Sequence, residues 1–324
     1  MKPFFKIKSN NSLHFVTFAH ISMNNKIVNW AIFILLCIIW GSSFILMKWG
    51  MFDTDMKPVL SPWQVAALRM LSSGLVMLPF LFYSLKDLPR KSIGAVLLSG
   101  WLGSFFPAFL FCIAETKIDG ALTGSLNSLT PIFVILTGTF FFGTRTSSNK
   151  LIGVIVGLAG SFLLLYANIS KPPGYLAYTS FVILATILYG INVNMVQNKL
   201  AGVGSVQIAT IAFTGLIPPS MIVLLVSGFF KQPLHEPAYA LGTLASCVLG
   251  ILGTAAASVL FYVLVKRAGG LFASLVTYGI PFVAILWGVY YGEKVTIMQV
   301  IGLCIILLGV YLANKPQKKE GSTE

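Results

Sequence analysis

An internal repeat relates the two halves of this chain. Residues 103–131 and 253–281 align without a gap at an offset of 150. The identical pairs are Gly103/Gly253, Leu110/Leu260, Phe111/Phe261, Gly120/Gly270 and Pro131/Pro281, and after a shift of one residue Gly143/Gly292, Gly153/Gly302 and Gly160/Gly309. Duplicated halves in a membrane protein are typical of transporters.

The composition places these halves in a membrane. Hydrophobic residues make up 56% of the 324 residues, charged residues only 10%, and the mean hydropathy is +0.87. A helix that crosses the hydrocarbon core needs roughly 17 to 25 apolar residues. Ten stretches qualify: 28–49, 63–85, 93–114, 120–142, 151–168, 174–196, 206–230, 237–265, 271–291 and 297–313. The predicted fold class is therefore an all-α integral membrane protein with ten transmembrane helices.

The basic residues predict how the helices are oriented. The net charge is +13, and fifteen of the 22 Lys and Arg residues fall in segments on one side of the predicted membrane, against six on the other. The positive-inside rule makes the first side, with both termini, cytoplasmic. The basic excess thus indicates topology and not nucleic-acid binding. Because each half has five helices, the second half enters from the opposite side, so the two form inverted five-helix repeats.

The predicted domain boundaries follow from these spans. Residues 28–168 form the first repeat, 174–313 the second, 1–27 an N-terminal extension and 314–324 a cytoplasmic tail. The linker 169–173 holds Pro172 and Pro173, which a helix interior does not tolerate. A signal peptide is one option for the extension, although it lacks a convincing cleavage site. The alternatives are a poorly ordered extension or a start assigned before Met23, which lies just ahead of helix 1. The four cysteines lie in apolar helices and are interpreted as packing residues.

The sequence offers little for catalysis, a metal or another cofactor. Its three histidines are His14, His20 and His235, and neither a G-x-S-x-G nor an H-E-x-x-H motif occurs. Nucleophile elbows and zinc-protease sites need those motifs. We therefore predict a protein that is not an enzyme, with no catalytic residues, no metal site and no cofactor.

Polar residues at mid-helix depth predict a substrate cavity, because a polar group in hydrocarbon needs a partner, a cavity or a ligand. They occur in matching places in the two halves, as in Trp40-Gly41-Ser42-Ser43 and Tyr189-Gly190-Ile191-Asn192. The alternative is that small polar residues only let helices pack closely. The predicted substrate-binding residues are Trp40, Ser43, Arg69, Asn127, Tyr189, Asn192, Tyr262, Thr277 and Tyr278.

Two prolines predict hinges near the middle of the membrane. Pro131 and Pro281 lie about 16 Å into their predicted helices at 1.5 Å per residue. Each lacks the N–H that would bond the carbonyl four residues earlier, of Asn127 or Thr277. Both kinks should gather hydrogen-bonding groups at the depth of the cavity.

Arg69 is the one charge predicted to lie well inside the hydrocarbon. It could pair with an anionic substrate, or its long side chain could instead extend to the interface or bond neighbouring carbonyls. Asp and Glu are missing from mid-helix positions, so the usual proton relay is absent. We expect facilitated or exchange transport, or coupling through peripheral groups. Glycines of predicted helices 5 and 10, such as Gly157 and Gly309, suit close packing, either within the chain or in a homodimer.

These segments resemble the EamA family of the drug/metabolite transporter superfamily. The resemblance covers about residues 27 to 314, with WGSSFILMK in helix 1, SPWQVAALRM in helix 2 and most of 250–313. It implies ten helices, cytoplasmic termini, and a central cavity formed by helices 3, 4, 8 and 9 with contributions from 1 and 6. It also implies export of amino acids or other small metabolites. One departure is Gly143-Thr144-Arg145, where the usual Gly-Glu appears only in the second half as Gly292-Glu293.

The sequence as a whole predicts an inner-membrane permease or exporter that works by alternating access. Its partners would be a small-molecule substrate and the lipid bilayer, with a homodimer as a further option. A non-catalytic membrane scaffold is the main alternative, and the paired mid-helix polar groups argue against it. An intramembrane enzyme lacks its motifs, and a channel lacks a filter segment.

Overall fold

The computed structural model describes residues 25–86, 88–144, 147–166 and 173–314. Nearly all of the predicted extension 1–27, linker 169–173 and tail 314–324 therefore lies outside the described residues. Eight helical runs are long and apolar enough to cross a membrane: α1 Lys26–Met51, α2 Pro62–Lys86, α3 Arg90–Glu115, α4 Gly120–Phe142, α6 Gly174–Asn198, α7 Ser205–Val226, α8 Pro237–Ala268 and α9 Phe272–Tyr290. The remaining two, α5 Ser148–Tyr166 and α10 Ile297–Asn314, contain shorter apolar helices. The all-helical prediction is confirmed over these ranges, and among the described residues eight of the ten predicted spans are found as helices of crossing length.

Most predicted helix ends agree with the structure within two or three residues, and α7 is the exception. It ends at Val226 and not at the predicted residue 230. Gly228 has φ of +70° and begins a short 3₁₀ turn, Phe229–Lys231. A left-handed glycine just after a helix is a common C-terminal signal, because glycine lacks the Cβ that disfavours this conformation.

Helices α5 and α10 pack closely within the chain. A Cβ added to Gly160 would lie 2.7 Å from the backbone N of Ile306, and one added to Gly309 would lie 2.3 Å from that of Gly157. Such distances leave room only for hydrogen on these glycines. The glycine stripe that could have served a contact between subunits is thus used inside one chain.

The first helix of each half packs on the fourth helix of the other half. Gly41 of α1 lies against Ile280 and Val283 of α9, while Gly190 of α6 lies against Phe133 and Val134 of α4. In both cases an added Cβ would come within 3.0 Å of neighbouring atoms. The two halves are therefore held together by equivalent contacts, as a repeat related by a two-fold axis requires.

The regular α-helical pattern is interrupted in several of the helices. α1 is interrupted at Ser42, α4 at Ser128 and Leu129, and α9 at Leu275. In α3 and α8 the helix widens into π turns at Trp101–Phe105 and Leu249–Ala256. The π turns contain the repeat glycines Gly103 and Gly253. Because π turns and helix breaks free backbone groups from their usual bonds, they recur at functional sites.

Candidate functional site

The irregular segments surround one cavity with a volume of about 100 Å³. Helices α1, α2, α3, α4, α6, α8 and α9 line it. The lining residues are Trp40, Ser43, Phe44, Met47, Arg69, Gly103, Ser104, Phe111, Asn127, Thr130, Tyr189, Asn192, Val193, Gly253, Thr254, Ser258, Phe261, Tyr262, Ser274, Thr277 and Ile280.

The structure brings eight of the nine predicted binding residues together in this cavity: Trp40, Ser43, Arg69, Asn127, Tyr189, Asn192, Tyr262 and Thr277. Tyr278 is not part of the lining. It follows Thr277 on a helix, so its side chain projects about 100° further round the axis. Its hydroxyl is buried without a hydrogen-bond partner among the described residues. The cavity assignment of Tyr278 therefore does not agree with the geometry.

The repeat relates most of the lining. Sixteen of the 21 residues form eight pairs at offsets of 150 or 149. The pairs are Gly103/Gly253, Ser104/Thr254, Phe111/Phe261, Asn127/Thr277, Thr130/Ile280, Trp40/Tyr189, Ser43/Asn192 and Phe44/Val193. Both repeats therefore contribute equivalent residues to most of the cavity lining. The lining residues without an equivalent in the other repeat make the chemistry of the cavity asymmetric.

Arg69 is the lining residue that differs most clearly from its counterpart in the other repeat. α2 and α7 begin with similar caps, since Gln64 Oε1 accepts from Ser61 N at 2.9 Å and Gln207 Oε1 accepts from Gly204 N at 2.8 Å. Aligning these caps places Arg69 opposite Ala212. Gly250 and Gly100, themselves a repeat pair, pack on the backbones of Arg69 and Ala212. The two halves are therefore superimposable here, except that only one of them carries a cation.

Among the residues that the structure describes, the guanidinium of Arg69 forms no ion pair. Its side chain is 9% exposed, its Nε donates to Thr254 Oγ1 at 2.7 Å, and its Nη1 lies 4.0 Å from Met47 Sδ. The ion pairs found in the described part of the chain are Lys48 with Glu293 and Lys57 with Asp55. A buried cation without a counter-charge is costly. An anionic group in the cavity would remove that cost.

The π turn of α8 positions two of these groups. Gly253 O accepts from Trp40 Nε1 at 2.9 Å, which fixes the indole of α1 against α8. The next residue, Thr254, accepts from Arg69 and donates to Leu249 O at 3.3 Å. That carbonyl lies five residues earlier, as the wider turn allows. The bulge therefore orients both an aromatic face and the cation.

A second polar cluster lies where α3, α6 and α8 meet. Ser99 Oγ donates to Asn192 Oδ1 at 2.6 Å, and the Tyr262 hydroxyl bonds both side chains. Gly103 makes the approach of Asn192 possible, because a Cβ there would lie 2.1 Å from Asn192 Nδ2. This cluster presents neutral donors and acceptors, and so complements the charge of Arg69.

The helix breaks lie on the N-terminal side of the two predicted hinge prolines. Pro131 lies at the start of the second part of α4, and Pro281 lies inside α9 without a break of its own. Each break instead lies beside a threonine that bonds the carbonyl three residues earlier. Thr130 Oγ1 donates to Asn127 O and Thr277 Oγ1 to Ser274 O, both at 2.7 Å. Such side-chain bonds compete with the helical backbone pattern.

Sequence reasoning missed several lining residues, among them Ser104, Thr254, Phe111 and Phe261. The signal was present, because all four lie in the aligned repeat segments as matched pairs. Ser99, by contrast, had no such signal, since its role depends on the side chain of Asn192. Within the described ranges, no group of three or more His, Cys, Asp or Glu is arranged to hold a metal ion.

Comparison with known proteins follows the same two-part division. The model of the EamA-like transporter family matches residues 28–166 and 176–315. An uncharacterized transporter of Archaeoglobus fulgidus is 24% identical over 290 residues, which cover 87% of this chain and 97% of the relative. The inner membrane transporter YedA of Escherichia coli K12, also uncharacterized, is 23% identical over 289 residues, 86% of this chain and 88% of its own.

Two further similarities are more limited. A protein of Escherichia coli K12 named as a probable amino-acid metabolite efflux pump is 27% identical over 133 residues, 41% of this chain and 41% of its own. A crystal structure of another protein, 17% identical, covers 90% of this chain and 96% of its own with a TM-score of 0.60. At that identity the likeness shows the fold alone.

Proposed function

Since this chain belongs to the EamA-like transporter family, we propose that it exports a small carboxylate-bearing metabolite, such as an amino acid, by alternating access. The substrate would bind in the cavity between the two repeats. The protein is a multi-pass membrane protein, and we place it in the inner membrane with both termini in the cytoplasm, as the basic residues predict. Export is supported by the efflux pump among its relatives.

The observation that carries this proposal is the unpaired Arg69. A carboxylate beside its guanidinium would accept charge-assisted, bidentate hydrogen bonds. Thr254 already holds Nε at 2.7 Å, which leaves the outer nitrogens for the ligand. The same position in the other half is Ala212, so only one orientation of a substrate places its carboxylate on a cation. Arg69 therefore makes the otherwise symmetric cavity favour one orientation of the bound substrate.

The rest of the cavity suits an uncharged or zwitterionic remainder. Phe111 and Tyr189 are stacked, with ring centroids 5.9 Å apart and planes 26° apart, and Trp40 lies 5.2 Å from Phe261. These rings offer stacking surfaces, and the tyrosine and tryptophan add a polar end. Asn127 and Asn192, each 5% exposed, can bond an amino or amide group.

Thermal unfolding of detergent-purified protein tests the carboxylate assignment. Each amino acid is compared with its own amide, which keeps the side chain and loses the negative charge. A ligand at 100 times its dissociation constant adds about 2.7 kcal/mol of stability, so a bound amino acid raises the unfolding temperature and its amide does so far less.

Arg69→Lys and Arg90→Lys provide matched variants. Arg90 lies exposed at the start of α3, so its replacement should leave ligand stabilisation unchanged. Arg69→Lys keeps the charge and removes the planar fork, and should weaken binding by about tenfold or more, the loss of roughly 1.5 kcal/mol in a charged hydrogen bond. Equal stabilisation by acid and amide in well-folded protein would contradict the proposal.

A further inference from the structure

Glu115, at the end of α3, is a buried carboxyl group that the cavity does not use. It is 2% exposed, and neither of its oxygens has a hydrogen-bond partner among the described residues. Buried polar groups are nearly always paired, and an ionised carboxylate needs several donors. Glu115 is therefore positioned to bind a ligand from outside the protein.

The surroundings of Glu115 form a latch between the two halves. Glu293 lies 3.5 Å from Lys48 Nζ and accepts from Gly120 N and Ala121 N, each at 3.2 Å. These contacts join α1 and the first turn of α4 in the first half to the α9–α10 loop of the second. We call Lys48, Glu115 and Glu293, with the start of α4, the Glu293 end of the protein.

Charge balance decides the state of Glu115 when this latch is closed. Lys48 pairs with Glu293. The other two charged groups that act on Glu115, Arg69 of α2 and Asp119 of the α3–α4 loop, form no ion pair with each other, but their charges are opposite, so the four neighbouring charges sum to zero. An ionised Glu115 would add one uncompensated negative charge to a buried site, which is far more costly than a neutral carboxylic acid. The groups whose charges act on Glu115 are Lys48, Glu293, Arg69 and Asp119. Tyr175 of α6 donates to Asp119 Oδ2 at 3.0 Å, and Cys112 precedes Glu115 on α3.

The opposite end of the molecule has no such charges. The repeat counterparts of Lys48, Glu115 and Glu293 are Gln197, Val265 and Thr144. Gln197 lies against Gly270, the counterpart of Gly120, since a Cβ there would be 2.4 Å from Gln197 Oε1. The backbone framework is shared, but at these three positions only the Glu293 end carries titratable side chains.

We propose that Glu115 is a proton-binding site that controls opening of the Glu293 end; this rests on the proposed transport function. With the latch closed, Glu115 holds a proton and Lys48 pairs with Glu293. When the end opens, the Glu115 O–H bond breaks, the proton passes to water, and the carboxylate competes with Glu293 for Lys48. Acid on that side therefore keeps the end closed, and a rise in pH favours opening.

Infrared difference spectroscopy of the reconstituted full chain tests the site without any substrate. The carbonyl stretch of a protonated carboxylic acid should be present at about pH 5 to 6, where exposed Asp and Glu are already largely ionised, and should disappear as pH rises further. Throughout that range it should be absent in Glu115→Gln and retained in Glu236→Gln, a matched change at an exposed carboxyl group at the start of α8. A band that survives in Glu115→Gln, or that does not change with pH in the wild type, would overturn the proposal.

Transport provides the second measurement, with a labelled amino-acid mixture as the probe in proteoliposomes. Wild-type and Glu236→Gln exchange should slow when the Glu293 end faces acid, and Glu115→Gln, which is permanently neutral, should be slow at every pH. Unaltered pH dependence in Glu115→Gln would contradict the proton site. If the wild type transports nothing while the infrared band behaves as expected, the proposed function fails and the proton site stands.

Discussion

The lining residues that differ between the two repeats determine the chemistry of this cavity, because the residues that the repeats share determine its shape. Eight pairs of lining residues obey the repeat, whereas Arg69 has Ala212 as its counterpart and Tyr262 has Cys112. An exactly symmetric cavity would bind a ligand in two opposite orientations equally well. The cation and the phenol remove that ambiguity, so specificity depends on the residues where the halves differ.

Gly103 allows the polar cluster of Asn192 to form, and its replacement should disturb binding. In Gly103→Ala the new Cβ would lie 2.1 Å from Asn192 Nδ2, so Asn192 must move and its bond with Ser99 is lost. Overpacking of this kind costs about 1–3 kcal/mol. We expect lower thermal stability and loss of stabilisation by amino acids.

Gly94→Ala is the control for that variant, on the same helix. A Cβ at Gly94 meets nothing within 4 Å, so alanine should leave binding unchanged and raise helix stability by up to about 1 kcal/mol. Equal behaviour of the two variants in thermal unfolding and ligand binding would contradict the role assigned to Gly103.

At the level of elements, hydropathy predicts where helices are but not where they break. The apolar stretches located the long helices of the described ranges, because burial in lipid requires long apolar runs. The predicted kinks at Pro131 and Pro281 correspond to breaks at Ser128–Leu129 and Leu275. These depend on threonine hydroxyls that bond carbonyls three residues earlier, an interaction that no hydropathy profile contains.

The pairing of α5 with α10 should contribute strongly to stability. Gly309→Ala would place a Cβ 2.3 Å from the backbone N of Gly157, where neither side can yield without separating the helices. We expect a loss of about 1–3 kcal/mol, measured by thermal unfolding in detergent. Gly174→Ala, at an open position beginning α6, should change stability little; a similar loss in both would contradict this packing role.

On the scale of the whole molecule, the repeat and the charges predict more than any single motif. The offset of 150 indicated a symmetric cavity, and eight of nine candidate residues line it. The latch at the Glu293 end was not predictable, because Lys48, Gly120 and Glu293 are far apart in sequence and meet only after the halves have packed. Long-range ion pairs leave no local pattern.

The orientation of the molecule can be measured with single cysteines in a background where the four native cysteines are alanine. Lys294→Cys and Lys199→Cys occupy exposed positions at opposite ends. The positive-inside rule predicts that a membrane-impermeant maleimide labels position 294 on intact cells and position 199 only after lysis. The reverse pattern would invert the topology and place the Glu293 end in the cytoplasm.

The central claim is that the cavity containing Arg69 carries a small carboxylate across the membrane, and counterflow tests it most directly. Proteoliposomes loaded with unlabelled amino acids should take up labelled amino acid transiently and with saturation, and Arg69→Lys should reduce this uptake about tenfold or more while Arg90→Lys does not. Uptake that is linear in concentration, or equal in both variants, would contradict the account.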